Sequence, residues 1–387
     1  MSNRARFLVA LVAAAALAAG AASTVSAAPG LQVGLFDDAQ TLYGNPDAAF
    51  PALKDTRAQI VRISIYWGYG PLAVATKRPA APTNPADPAY NWASYDRAVQ
   101  YASANGLKVL FSIWGTPDWA NGGKGPRSAP SNPVDLQNFA YAAAKRYSGV
   151  FSGTDKRLLP AVRYWLAWNE PNNPAFLLPQ FVQKGGAWIS QAAIDYAKIC
   201  NAIYNGVHLT AFSGEKVACG GTSPRGNNQP GSSRSSTSPV AFLRALAKTG
   251  SVKFDAWAHH PYYGKPTEQP DKPPPAPANG AATTAVTLGN IDSLIGEVTK
   301  LFGPKRIWIT EYGYQTDPPD PQFGVTLANQ AKYLKTAFTV ARANPSIDVM
   351  VWFLLRDEPD INGWQSGLIT ASGSTKPAYA AFKALDH

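Results

Sequence analysis

Short apolar runs alternate with longer segments of helical periodicity along the chain, the pattern of a parallel sheet whose strands are joined by helical crossovers. The runs predict strands near 31–36, 60–66, 107–113, 162–169, 216–220, 254–260, 306–311 and 348–354. Helices fit between them near 47–58, 91–105, 133–148, 187–206, 239–249, 287–301, 325–343 and 376–384. Eight such pairs predict an α/β fold, a single closed (β/α)8 TIM barrel, in preference to an open doubly wound sheet. Asn132-Pro133 and Ser238-Pro239 read as N-caps with proline at the first helical position, and Asn105-Gly106 reads as a helix stop. Long insertions follow the strand C-termini at 67–90, 114–132, 221–238 and 261–286, the last carrying a stiff proline-rich stretch over 270–277. A barrel works at that face, so these loops are expected to shape a substrate cleft.

Side chains alternate between barrel interior and helix layer along each strand, which sorts the residues of each run. Arg62 shares parity with Ser64 and Tyr66 and opposes Val61, Ile63 and Ile65. An arginine inside a barrel needs an anion beside it. His260 and Tyr262 share parity with Ala256 and Ala258, so His259 faces away and reads as structural. Parity places Glu311 with Ile307 and Ile309 in the interior, and sends Trp165, Trp257 and Trp308 to the helix layer. Asn169 and Glu170 are adjacent and can share one site only if the strand bulges or turns before Pro171.

The chain has six glutamates, and two of them, Glu170 and Glu311, end apolar aromatic-rich strands. A carboxylate there is desolvated unless charges or hydrogen bonds meet it, so the pair suggests a built site. Glu215, Glu268, Glu297 and Glu358 read as ordinary solvated acids. Two carboxyls at strand ends are the equipment of glycosidic bond hydrolysis.

Composition narrows the setting. Residues 1–28 carry Arg4 and Arg6, a long Ala/Leu/Val run and the small-residue exit Val25-Ser26-Ala27-Ala28, the form of a secretory signal, so residues 29–387 form the expected catalytic domain of a secreted or cell-envelope protein. An uncleaved N-terminal anchor is the alternative; no later run approaches the roughly 18 apolar residues that span a bilayer, so no stable membrane insertion is expected after cleavage. The formal charge of +10 becomes +8 without the two leader arginines, and no Lys/Arg cluster with interleaved aromatics suggests nucleic acid. Cys200 and Cys219 could bridge a helix to the next strand, or could be two buried free thiols. Four histidines without metal-ligand spacing argue against a metal, and no cofactor is expected.

Asn169-Glu170-Pro171 after the fourth strand, Glu311 after the seventh, Arg62 in the second, His260-Pro261-Tyr262 after the sixth and Trp352 in the eighth resemble the pattern of clan A glycoside hydrolases over essentially the whole mature chain. Thr116-Pro117-Asp118-Trp119-Ala120 brings the resemblance closest to family 39, with family 5 next. The resemblance implies a retaining enzyme acting on oligo- or polysaccharide, with Glu170 as acid/base and Glu311 as nucleophile. Arg62 and the Tyr262 hydroxyl would support Glu311, while the Glu311 charge and apolar surroundings would keep Glu170 protonated. Asn169 would donate to the reacting sugar's 2-hydroxyl, and His260 would orient sugar hydroxyls or Tyr262. Trp352, Trp114, Trp119, Trp67 and Trp364 lie at or beyond strand ends as platforms for sugar rings. Asp37 and Asp38, like Asp357 and Glu358, read as exposed loop pairs. A transglycosylase on the same site, or a carbohydrate-binding envelope protein without turnover, would carry much of the same pattern.

Overall fold

The computed structural model describes residues 30–153, 155–278 and 282–387, so the expected leader over 1–28 lies outside the described residues. Its strands are β1 (Gln32–Phe36), β2 (Ile60–Tyr66), β3 (Lys108–Trp114), β4 (Tyr164–Ala167), β5 (Phe181–Lys184), β6 (Ala187–Ser190), β7 (Lys216–Thr222), β8 (Ala256–His259), β9 (Arg306–Tyr312) and β10 (Ile347–Phe353). Eight of them close a barrel in the cyclic order β1-β10-β9-β8-β7-β4-β3-β2, every neighbour pair parallel. The (β/α)8 barrel expected from the run pattern is the observed fold. β5 and β6 form a separate antiparallel hairpin, so the helix predicted over 187–206 begins only at Gln191. The alternation in Phe181–Ser190 is strand-like but lies against a helical pattern, which hid the boundary.

Helices α1 (Pro46–Asp55), α2 (Ala93–Ala104), α3 (Asp118–Asn121), α4 (Pro133–Arg146), α5 (Gln191–His208), α6 (Pro239–Ala247), α7 (Asp292–Phe302), α8 (Leu327–Ala343) and α9 (Pro377–Lys383) supply the outer layer and connections. Asn132 caps α4 by accepting from the Val134 N–H, and Gly106 takes a positive φ of 76° after α2, both as expected. Ser238 does not cap α6 through its side chain; its hydroxyl instead accepts from Asn228. No described helix is long and apolar enough to cross a membrane.

Phe36, Ile60, Leu110, Leu166, Ala218, Ala256, Ala258, Trp308, Val349 and Val351 fill the barrel interior. Trp308 therefore points inward, against Tyr164 with ring centroids 5.5 Å apart, while Ile307 and Ile309 pack toward the helices. This reverses the parity expected for β9. The three interior alanines of β7 and β8 leave room for the indole. Arg62, Val61, Ile63 and Ile65 sit as parity requires, and Trp165 and Trp257 join the helix layer.

Two bulges at the C-terminal rim change what the strand ends present. Between β9 and β10, Met350 faces Ile309 and Trp352 faces Tyr312, so β9 carries one extra residue at Thr310–Glu311. Between β7 and β8, Gly220 faces Ala258 and Thr222 faces His259, an extra residue on β7. Gly220 has φ 97°, and a Cβ there would sit 2.5 Å from the Ala258 carbonyl oxygen, so only glycine fits.

Cys200 on α5 and Cys219 on β7 form a disulfide with Cα atoms 5.9 Å apart, tying the helix to the strand beside β4. Glu215, read as solvated, is buried and accepts from the Thr210 hydroxyl, and Asp357, read as exposed, pairs with the equally buried Lys376 at 2.7 Å. Chain-entropy cost predicts that the Cys200→Ala/Cys219→Ala double variant loses about 2–5 kcal/mol, read from urea unfolding midpoints.

Candidate active site

The strand ends converge on Arg62. Its guanidinium is 1% exposed, lies over the Phe36 ring at 4.2 Å, and donates to Glu311 Oε2 (2.9 Å), the Thr310 carbonyl (3.0 Å) and Asn169 Oδ1 (2.6 Å). Glu311 reaches the interior because the β9 bulge turns it to the same side as Thr310. The sequence placed Glu311 correctly through the wrong parity: without the bulge it would follow Ile307 and Ile309 outward. Tyr262 donates its hydroxyl to the other oxygen, Glu311 Oε1, at 2.9 Å. Each oxygen of the carboxylate thus accepts from a buried donor, an arrangement that fixes its direction.

Glu170 arrives by a different device. β4 ends at Ala167, and Trp168 and Glu170 then take positive φ values of 71° and 36°, conformations unfavourable for residues with a Cβ. This is the turn that the adjacency of Asn169 and Glu170 demanded. The Glu170 N–H donates to the carbonyl of Gly221 on the β7 bulge at 3.0 Å, and the Trp168 indole donates to Phe176 at 2.9 Å. Asn172 braces the same turn, accepting from the Ser223 N–H and donating to the Ser223 and Thr237 carbonyls.

Carboxyl oxygens of Glu170 and Glu311 and a ring nitrogen of His260 all lie within 4.8 Å of one another. His260 is fully buried, its Nδ1 3.2 Å from Glu170 Oε1 and its Nε2 3.0 Å from the Thr310 hydroxyl. Burial lowers its pKa to about 3, so the ring is neutral near pH 7. Burial likewise pushes Glu170 up to about 7, against the lowering donation from Asn173 Nδ2 at 2.8 Å and the Arg62 charge. Burial is the leading cause, where the Glu311 charge had been expected to share that role. Glutamate, histidine and glutamate at this spacing could ligate a metal, but the Arg62 guanidinium already supplies the positive charge at Glu311.

The site opens into a cleft of about 580 Å³ walled by Asp38, Tyr66, Trp114, Asn173, Phe353 and Trp364 as well as the central residues. Trp114 and Trp364 are therefore placed as expected. Trp352 is not: it is fully buried, packs in the helix-side layer with Ile347 and Met350, and donates its indole N–H to the Ser366 carbonyl at 2.9 Å. Its neighbour Phe353 holds the inward position. Trp119 is also outside the cleft, donating to the Ala75 carbonyl and meeting Trp67 edge to face, and Trp67 is buried in the helix layer. His259 bonds Thr222 and the Val286 carbonyl, the structural role expected of it.

Of the four insertions, 67–90 folds back into the outer core through Val74, Ala75 and Tyr90 and leaves the cleft to others. The loops after β1 and β10 contribute walls instead, through Asp38 and through Glu358 and Trp364. Asp37 is buried rather than exposed, accepting from the N–H groups of Gln40, Leu355 and Arg356, and burial raises it to about 7. Asp38 faces the cleft, accepting from the Ser64 N–H and the Tyr66 hydroxyl. Asn173, Asp38 and Tyr66 were missed as site residues. Tyr66 had a signal in its shared parity with Arg62 at the end of β2, and Asn173 in lying three residues beyond Glu170 on a turning segment.

Residues 144–387 match the family described as "Family of unknown function (DUF5722)". No curated protein matches the sequence. Among solved structures, the chain is similar to a family 39 glycoside hydrolase from Bacteroides cellulosilyticus, with TM-score 0.61 and 18% identity over 92% of this chain and 63% of that one. A glucosidase from Croceicoccus marinus gives TM-score 0.63 at 14% identity, covering 93% and 67%. Fungal β-1,4-galactanases give 0.59 at 14%, covering 92% and 100%. This chain thus spans less than two thirds of the Bacteroides enzyme's length, and at these identities the likeness establishes a shared barrel.

Removing Arg62 strands a buried carboxylate. Arg62→Met is expected to lower stability by about 3–5 kcal/mol at pH 7 in urea unfolding, and adding Glu311→Gln to restore part of that loss.

Proposed function

On the premise that this chain belongs to the family of unknown function DUF5722, we propose that it is a glycosidase that hydrolyses O-glycosidic, β-linked bonds of oligo- or polysaccharides with retention of anomeric configuration. The observation that carries the reading is the approach of Glu170 and Glu311 to within 4.8 Å, each in a different electrostatic setting. Carboxyls about 5 Å apart leave no room for a water between carboxylate and sugar, so one must attack the anomeric carbon itself.

Glu311, gripped by Arg62 and Tyr262, is the nucleophile. Glu170, held protonated by burial, gives its proton to the departing glycosidic oxygen as the bond from Glu311 to the anomeric carbon forms. Water then enters where the leaving group departed, Glu170 takes its proton, and the oxygen displaces Glu311. Neutral His260 beside Glu170 adds no opposing charge as Glu170 alternates between its two states. Asn169, with Oδ1 committed to Arg62, has its Nδ2 to offer the 2-hydroxyl of the reacting sugar. Clustering of Asn169, Glu170, Glu311 and aromatic walls in one cleft supports these roles, and the barrel shared with glycoside hydrolases agrees with them. The reading includes export, on the leader pattern of residues 1–28.

A panel of aryl β-glycosides is expected to find a hydrolysed substrate whose first-formed sugar, followed by NMR, is the β-anomer; first release of the α-anomer would overturn the double displacement. Glu311→Ala and Glu170→Ala are each expected to lower kcat/KM by about 10³-fold or more, with azide restoring turnover to the former as the α-glycosyl azide. Because the acid form of Glu170 is needed and its pKa is raised to about 7, kcat/KM should fall above that pH, about tenfold per unit. An activity that stays level to pH 9 would remove Glu170 from the acid role.

A further inference from the structure

The cleft does not end at Tyr262. A second cavity of about 640 Å³ opens on its far side, and Pro224, Arg225, Tyr262 and Trp364 wall both. We propose that this second lobe binds further units of the carbohydrate chain cleaved at Glu170 and Glu311, and that the chain it takes is built of uncharged sugars. The proposal rests on the glycosidase reading for its occupant, since a chain leaving the reacting centre past Tyr262 and Trp364 enters this lobe.

Trp364 stands at the junction, its ring centroid 5.3 Å from those of both Tyr262 and Phe353, and its backbone N–H donates to Glu358 Oε2 at 2.8 Å. Beyond it the lobe exposes large apolar side chains: Phe323 is 43% and Ile361 49% exposed. Such rings in a concave wall suit the C–H faces of pyranosides.

Phe323 is also held ready. Tyr263 stacks on Tyr314 with centroids 4.1 Å apart, donates its hydroxyl to the Phe323 carbonyl at 2.7 Å and accepts from the Gln315 N–H at 2.9 Å. Asp320 Oδ1 accepts from the N–H groups of Gln322 and Phe323. An exposed aromatic on a backbone fixed from two sides loses little freedom on binding. Charge in the lobe is already matched, with Arg225 paired to Glu268 at 2.7 Å and Asp320 turned to its own loop. No free cation is left there among the described residues to meet a uronate or sulfate, which is why neutral sugars are specified.

The test uses the full mature chain and ladders of cello-, xylo-, manno- and β-1,4-galacto-oligosaccharides of two to six units. On the ladder that is hydrolysed, kcat/KM is expected to climb with chain length, and Phe323→Ala to flatten that climb by about tenfold at the longest member. A ladder without the climb, or a climb unchanged in Phe323→Ala and in Phe323→Ala/Ile361→Ser, overturns the proposal. A Glu311→Gln variant separates this from the glycosidase reading: titrated with the same ladders by tryptophan fluorescence, it should bind longer members more tightly, and Phe323→Ala should remove that gain, whether or not any ladder is hydrolysed. Equal affinity for all lengths, or tighter binding of oligogalacturonides than of neutral chains, overturns it as well.

Discussion

A buried guanidinium organises this molecule. Arg62 projects from β2 over the Phe36 ring of β1, and its hydrogens are shared among Asn169 beyond β4 and the Thr310 carbonyl and Glu311 of β9. A positive charge in that position must be matched, and the strand ends are distorted in the ways that match it. The β9 bulge brings a carboxylate inward, and the left-handed turn after β4 brings an amide. The turn after β4, with Trp168 and Glu170 at positive φ, is locally unfavourable and persists because the charge it serves would otherwise lack a partner.

Global and local electrostatics point in opposite directions. The chain carries a formal charge of +10, yet the cleft is walled by Asp38, Glu170, Glu311 and Glu358 against Arg62 and Arg225, each of which already holds a carboxylate. The basic balance therefore lies outside the cleft, and long-range attraction to anionic polymers would act away from it.

Much of the architecture was legible because it rests on periodicity. Eight apolar runs gave the barrel, and parity alone put Arg62, His260 and Tyr262 on the inner side and His259 on the outer one. What escaped was register. A bulge is one extra residue whose neighbours keep ordinary strand character, so nothing in Ile307–Tyr312 announced that inward and outward positions exchange at Thr310. The same blindness misplaced Trp308, whereas Trp352 was named from the resemblance and its strand-end position, and regular alternation along Val349–Phe353 gives the inward place to Phe353. Burial of Asp37 and Asp357 was illegible for another reason: their partners, the Leu355 and Arg356 amides and Lys376, lie far along the chain or belong to loops whose course only tertiary packing sets.

The Lys376 ammonium joins loops of the rim. It is buried just before α9, donating to Asp357 from the β10 loop, to the Thr316 hydroxyl from the β9 loop and to the Gln365 carbonyl beside Trp364. Two points of the β10 loop and one of the β9 loop are thus fastened together by one side chain. The outline of the mouth is therefore coupled to the seating of the final helix: whatever loosens α9 from α8 on the far flank also slackens the wall that carries Trp364, although no atom of that helix faces the opening.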